Sequence, residues 1–293
     1  MKSIKFNYKN LFLSWGLSLL IFLFTSFLIL QLTTPKIPLF GFHGIIDIEN
    51  PDPNYVPDKM EYSKQDLEVF IEYLIRHNYW FLNSQDLYEF FLLKSKHIPP
   101  DHLNQKPILI SFDDSYKTVY TNLIPILDKL KEKYGKQVKV VLFVNPGTLA
   151  KPGSTASTHL ECRELREGLK KGFYDIQSHG LTHKNLTQLS PKILVNELLQ
   201  AQTQLRQCTQ GIDSEQKVAS HLAYPYGAYN KQVETYASKY YLSSYLYNTR
   251  ILKYCWLKNY YEIPRITVNR GKSPNQLIKI AEKSHQIKKK EKC

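Results

Sequence analysis

Two adjacent carboxylates, Asp113 and Asp114, follow an apolar run in the stretch "PILISFDDSYK". Such a pair repels at neutral pH, and each carboxylate is better solvated in water than at the end of a buried strand. A nearby cation would offset both penalties. Further along, "SHGLTH" sets His179 and His183 four residues apart. On one helical turn that spacing puts both imidazoles on one face, close enough to chelate a metal. Two histidines and one carboxylate leave coordination positions open for water and substrate. The second carboxylate can then work beside the ion as a general base.

Three more polar groups end or punctuate apolar runs. His43 closes "PLFGFH", Tyr224, Pro225 and Tyr226 form "AYPYG", and Arg265 lies in "EIPRITV". Each has a plain structural reading: a hydrogen-bonded strand-end histidine, a Pro-Gly turn, and a structural ion pair. His221 in "SHLAYPYG" is accounted for by core packing.

The elements that must position these groups are legible as alternating apolar strands and amphipathic helices. Strands are expected at "PLFGFHGIID", "YWFL", "PILISF", "VKVVLFV", "FYDIQSH", "SHLAYPYG", "LSSYLY" and "EIPRITV". Helices are expected at "SKQDLEVFIEYLIRHN", "SQDLYEFFLLK", 123–134, 163–171, "SPKILVNELLQAQTQL", "NKQVETYASK" and from Pro274 onward. Ser63 can cap the first of these, and Pro191 suits the first turn of the fifth. Alternation of this kind predicts an α/β fold: a parallel sheet, open or closed as a barrel, with helices outside and ligands at the carboxyl ends of the strands.

The chain has 293 residues, 43% hydrophobic and 22% charged, enough for one large domain. Its net charge of +13 invites a nucleic-acid partner. The basic residues, however, gather at the two ends (Lys2, Lys5, Lys9; Lys279, Lys283, Lys288, Lys289, Lys290, Lys292) or scatter, and no nucleic-acid-binding motif accompanies them. Cys162, Cys208, Cys255 and Cys293 form no CxxC pair, and spacing does not decide how they would bridge. The span 11–32 is uncharged and long enough to cross a bilayer as a helix. With three lysines before it, it predicts an uncleaved anchor, with the rest exported to the periplasmic or extracellular face; a cleaved secretion signal is the alternative. The chain then divides into a basic segment 1–10, an anchor 11–32, a tether 33–37, a catalytic domain 38–281 and a basic tail 282–293.

In combination and in this order, "SFDDS", "SHGLTH" and "AYPYG" resemble the three motifs of the polysaccharide deacetylase family, the NodB-homology carbohydrate esterases and amidases. "FGFHGI" is similar to the first-strand histidine motif of the branch that deacetylates poly-β-1,6-N-acetylglucosamine. The resemblance covers residues 38–281. It implies a distorted (β/α) barrel of about seven strands and a divalent metal, zinc first, with cobalt, nickel or iron as alternatives. It also implies hydrolysis of acetyl groups from N-acetylglucosamine in an extracellular or cell-wall polysaccharide. By motif, Asp114, His179 and His183 would ligate the metal, Asp113 would be the base, and the Tyr226 N–H would help hold the oxyanion. His43 would supply the acid, and Tyr116, Tyr224 and Pro225 would contact substrate, with Tyr55 another candidate for sugar stacking. Two positions depart from the pattern: Ser115 replaces the usual Gly, and Ala223 replaces the Arg that tethers the base, for which Arg265 is the available substitute. An O-acetyl esterase and a non-catalytic glycan-binding relative are the rival readings.

Overall fold

The computed structural model describes residues 21–25, 35–51, 56–154 and 157–284. Most of the expected anchor, together with Tyr55 and most of the basic tail, lies outside them. Among the described residues no helix is long and apolar enough to cross a membrane.

Eight strands form one parallel sheet: β1 (Leu39–Phe42), β4 (Tyr79–Phe81), β5 (Lys106–Phe112), β6 (Val140–Val144), β7 (Tyr174–Ser178), β8 (His221–Ala223), β9 (Ser243–Tyr245) and β10 (Ile266–Thr267). The order is β10-β1-β5-β6-β7-β8-β9, with β4 paired to the amino-terminal half of β5. The strands β2 (Ile45–Ile46) and β3 (Tyr62–Ser63) pair separately. Every residue of β6 and the last five of β5 are buried, as strands covered on both faces must be, and this is why they read as unbroken apolar runs.

The sheet curls into a half-barrel, and residues 263–267 reach both of its edges. Ile263 donates to Ser244 O at 3.0 Å and accepts from Leu246 N–H at 2.7 Å on the β9 side. Ile266 and Thr267 pair with Phe40 and Gly41 on the β1 side. Pro264, with no N–H to give to a ladder, divides the expected single strand "EIPRITV" into these two attachments.

The helices α1 (Lys64–Arg76), α2 (Ser84–Asp86), α3 (Ile124–Tyr134), α4 (Cys162–Lys170), α5 (Pro191–Cys208), α6 (Lys231–Ala237) and α7 (Pro274–Ser284) alternate with the strands. The Ser63 hydroxyl caps α1 by accepting from Asp66 N–H at 3.2 Å. That helix buries Leu67, Phe70, Ile71 and Leu74, with Phe70 edge-on to Phe40 of β1 at 5.2 Å. Burying one such side chain is worth about 1.5–3 kcal/mol. The helix expected over "SQDLYEFFLLK" is α-helical only for its first turn, which an Asn83–Asp86 capping box fixes; it continues as a π-turn, Leu87–Leu92. Cys162, at the start of α4, is disulfide-bonded to Cys208, at the end of α5.

Candidate active site

Strand ends deliver the polar groups to one pocket of about 360 Å³, whose lining includes His43, Asp113, Asp114, Tyr116, His179, His183, Tyr224, Tyr226 and Tyr247. A larger cavity of about 650 Å³ shares Tyr116 with it but none of these carboxylates or histidines.

Asp113 ends β5. Its N–H makes the last ladder bond, to Phe42 O at 3.0 Å, and the residue is 2% exposed. Arg265, fully buried, meets it with two parallel bonds: Nη1 to Oδ1 at 2.7 Å and Nη2 to Oδ2 at 2.8 Å. The guanidinium also donates to Leu246 O and to Ser111 Oγ, each at 3.0 Å. Burial alone would push the Asp113 carboxyl up. The Arg265 charge, with His179 and the Arg265 hydrogen bonds, outweighs it and holds the carboxyl below its usual value. Of the two readings open for Arg265, the geometry is that of a tether on Asp113.

Asp114 turns away in a left-handed backbone conformation (φ 67°), and so does Ser115 (φ 61°). For non-glycine residues that conformation costs about 1–2 kcal/mol each. The motif's glycine is therefore replaced at a position that does need positive φ. The turn brings Asp114 Oδ1 to 3.3 Å from His179 Nε2 and 3.1 Å from His183 Nε2. These three atoms are a candidate metal site.

Asp114 Oδ1 is buried and makes no hydrogen bond, although two ring nitrogens lie beside it. His179 explains part of this. Its Nδ1–H donates to Ala223 O at 2.8 Å, so its Nε2 carries a lone pair aimed at Asp114. Three candidate ligand atoms within 4.8 Å of one another fit a divalent cation, as does the chemistry of the set, two imidazoles and a carboxylate. Burial pushes Asp114 up, but with protons on the imidazoles in place of an ion, the rings donate to it and hold its carboxyl well below the carboxylate range.

The histidine pair does not lie on a helical turn as its spacing suggests. His179 follows β7, Gly180 has φ 75° and His183 has φ 58°, so residues 179–183 form a loop that folds the second ring back over the first, 5.0 Å between centroids. A four-residue spacing fits a helix face, but it also fits a compact turn through a glycine.

His43, just beyond β1, places Nε2 3.7 Å from Asp114 Oδ2, with its ring edge-on to Tyr247 at 5.3 Å. Burial lowers its pKa below the ordinary histidine value. Tyr226, 66% exposed with φ 60°, packs its ring on His183 at 4.5 Å. Tyr116 lines the pocket half-buried. Tyr224 and Pro225 are buried, and the Tyr224 ring stacks on Tyr229 at 5.6 Å. Tyr224 packs on the core beside Leu186 and Leu194 and forms part of the pocket wall. His221 is buried between Ser243 and Gln85, as core packing requires. Tyr247, which also lies under Arg265 at 5.6 Å, is a pocket residue that nothing in the sequence marks among 21 tyrosines.

Residues 101–244 match the family model described as polysaccharide deacetylase. The chain carries a polysaccharide deacetylase domain. It is 27% identical over 176 residues to a poly-beta-1,6-N-acetyl-D-glucosamine N-deacetylase of Staphylococcus aureus, covering 57% of this chain and 54% of that protein. The chain thus spans about half the length of the curated relatives it matches first. Among solved structures, it resembles a Streptococcus pyogenes deacetylase crystallised with acetate, at TM-score 0.67 and 21% identity over 84% of this chain and 98% of that one. It also resembles a polysaccharide deacetylase from Bacillus cereus, at TM-score 0.67 and 20% identity over 84% and 69%. At those identities the likeness is one of fold, a NodB-type barrel. The segment matched to the polysaccharide deacetylase model contains Asp113, Asp114, His179, His183 and Tyr226, while His43 and Arg265 lie outside it on either side.

Proposed function

We propose that this protein is a metal-dependent polysaccharide N-deacetylase that hydrolyses acetyl groups from N-acetylglucosamine residues of an extracellular or cell-wall glycan. The observation that carries the proposal is the convergence of Asp114 Oδ1, His179 Nε2 and His183 Nε2 beside a buried Asp113 locked to Arg265. Asp114, His179 and His183 would hold the ion. A bound divalent ion such as zinc polarises the acetyl carbonyl and lowers the pKa of water from about 15.7 to about 7.

The protein's own groups account for the rest. Asp113, kept ionised by Arg265, takes a proton from the attacking water. The Tyr226 N–H donates to the developing oxyanion, and Tyr116 shapes the acetyl and sugar side of the pocket. His43 hands a proton to the departing amine, because an amide nitrogen is a poor leaving group without one. The S. aureus relative supports N-acetylglucosamine as the sugar. The Cys162–Cys208 bridge supports export, since disulfides persist in oxidising compartments, and the apolar span 11–32 would anchor the domain there.

The test is acetate release from N-acetylglucosamine oligomers by the purified protein. No release from folded protein supplied with zinc, cobalt, nickel or iron overturns the proposal. One observation favours an O-acetyl esterase as the second reading: burial lowers the His43 pKa, which works against its holding the proton an amide leaving group needs, and an ester's leaving group needs less help. His43→Ala separates the two. A loss of about 10²–10⁴ in turnover on the amide substrate supports the first reading; retained turnover on an acetyl ester with none on the amide in the parent protein supports the second.

A further inference from the structure

The His179 N–H still donates to Val144 O at the end of β6, at 2.9 Å, but residues 180–183 run on as a loop outside helix and strand, and His183 holds a left-handed backbone (φ 58°). Such a conformation persists only where its surroundings over-determine it. The surroundings here form two buried grips. On one side, Asn145, 1% exposed and just past β6, donates from Nδ2 to His179 O and to Gly180 O, the latter at 3.1 Å. Gly147 N–H takes the next carbonyl, Leu181 O, at 2.8 Å. On the other side, Glu197 of α5, 2% exposed, accepts from Leu181 N–H at 3.0 Å, Thr182 N–H at 2.9 Å and the Thr182 hydroxyl at 2.6 Å. Carbonyls are held from the β6 side and amides from the helix side.

Asn145 is itself fixed by Ser115. The Asn145 N–H donates to Ser115 Oγ at 3.0 Å, and Ser115 directly follows the ligand Asp114. A glycine at 115 would adopt φ 61° without strain but has no hydroxyl to reach Asn145. The serine therefore ties the carboxylate turn to the histidine loop.

We propose that Asn145, Glu197 and Ser115 are positioning residues that clamp the 179–183 loop and set the distance between the two imidazoles and Asp114. This rests on the metal-site reading above. Groups behind a ligand fix its orientation, and their loss commonly lowers metal affinity about 10–100-fold.

The experiment uses the full-length protein and zinc alone, titrated against a chromophoric chelator, with the visible absorption of the cobalt-substituted protein as a second readout. Glu197→Gln and Asn145→Ala should each weaken zinc binding about 10–100-fold and alter the cobalt bands, which a loss of stability elsewhere would not do. Ser115→Gly, which suits the backbone and removes only the hydroxyl, should shift both readouts in the same direction by less. Unchanged zinc affinity and unchanged cobalt bands in the folded variants overturn the clamp. If the two larger changes prevent folding, Ser115→Gly decides by the same criterion. Wild-type protein that binds zinc no better than Asp114→Ala removes the metal reading and the clamp with it; tight wild-type binding matched by all three variants removes the clamp alone.

Discussion

Asp113 and Asp114 are neighbours in sequence with opposite surroundings, and that contrast separates their proposed work. Asp113 has both oxygens bonded to Arg265, whereas Asp114 presents an unbonded oxygen to two imidazoles. Asp114→Ala should abolish zinc binding and turnover together. Asp113→Asn should keep zinc within a fewfold, read by elemental analysis, yet lower turnover about 10²–10⁴-fold. Arg265→Met leaves a buried carboxylate unpaired, which should destabilise the fold by about 3–5 kcal/mol, measured by urea unfolding. It should also move the acid limb of the rate profile upward. The sign follows from the pair: Arg265 holds the Asp113 pKa down, so without it the base is lost at a higher pH as the solution is acidified. The carboxylates were legible in the sequence because they follow an apolar run, the histidines because of their four-residue spacing, and the motifs because of their order. Arg265 as the partner of Asp113 was open only as one of two readings, because it lies 152 residues away and chain order does not say which side chain crosses a barrel.

At the level of elements, the strands were the most legible part, since a strand covered on both faces must be apolar throughout. The π-turn after α2 was not, because its apolar spacing also satisfies a helix. Nor was the backbone of the histidine loop, where Gly180 and His183 adopt φ values that residue spacing does not encode. The link between α4 and α5 carries its own prediction. The disulfide closes 46 residues of chain, and by loop-closure entropy its removal should cost about 4 kcal/mol. The Cys162→Ser/Cys208→Ser double variant should therefore melt well below the parent, by calorimetry under non-reducing conditions.

For the molecule as a whole, acid sensitivity can be traced to the barrel interior. His221 is fully buried and its pKa is pushed down to about 3 by burial. Unfolding restores an ordinary value near 6.5, so between the two the unfolded chain binds the extra proton and stability falls as pH drops. That amounts to about 2 kcal/mol lost between pH 7 and pH 5. Asp175, buried with its carboxyl pushed up by burial, works in the opposite sense. The contribution of His221 is therefore read as a difference: His221→Gln should show a flatter fall in urea midpoint between pH 7 and pH 5 than the parent.

The segment 263–267, attached to both sheet edges, has a consequence for the order of events during synthesis. It lies late in the chain and alone supplies the guanidinium that Asp113 needs. Until those residues have emerged, the nascent protein holds a half-built reaction centre with a buried, uncompensated charge. On the proposed reading, full activity would come only when that last strand docks, which would make turnover a gauge of completed folding.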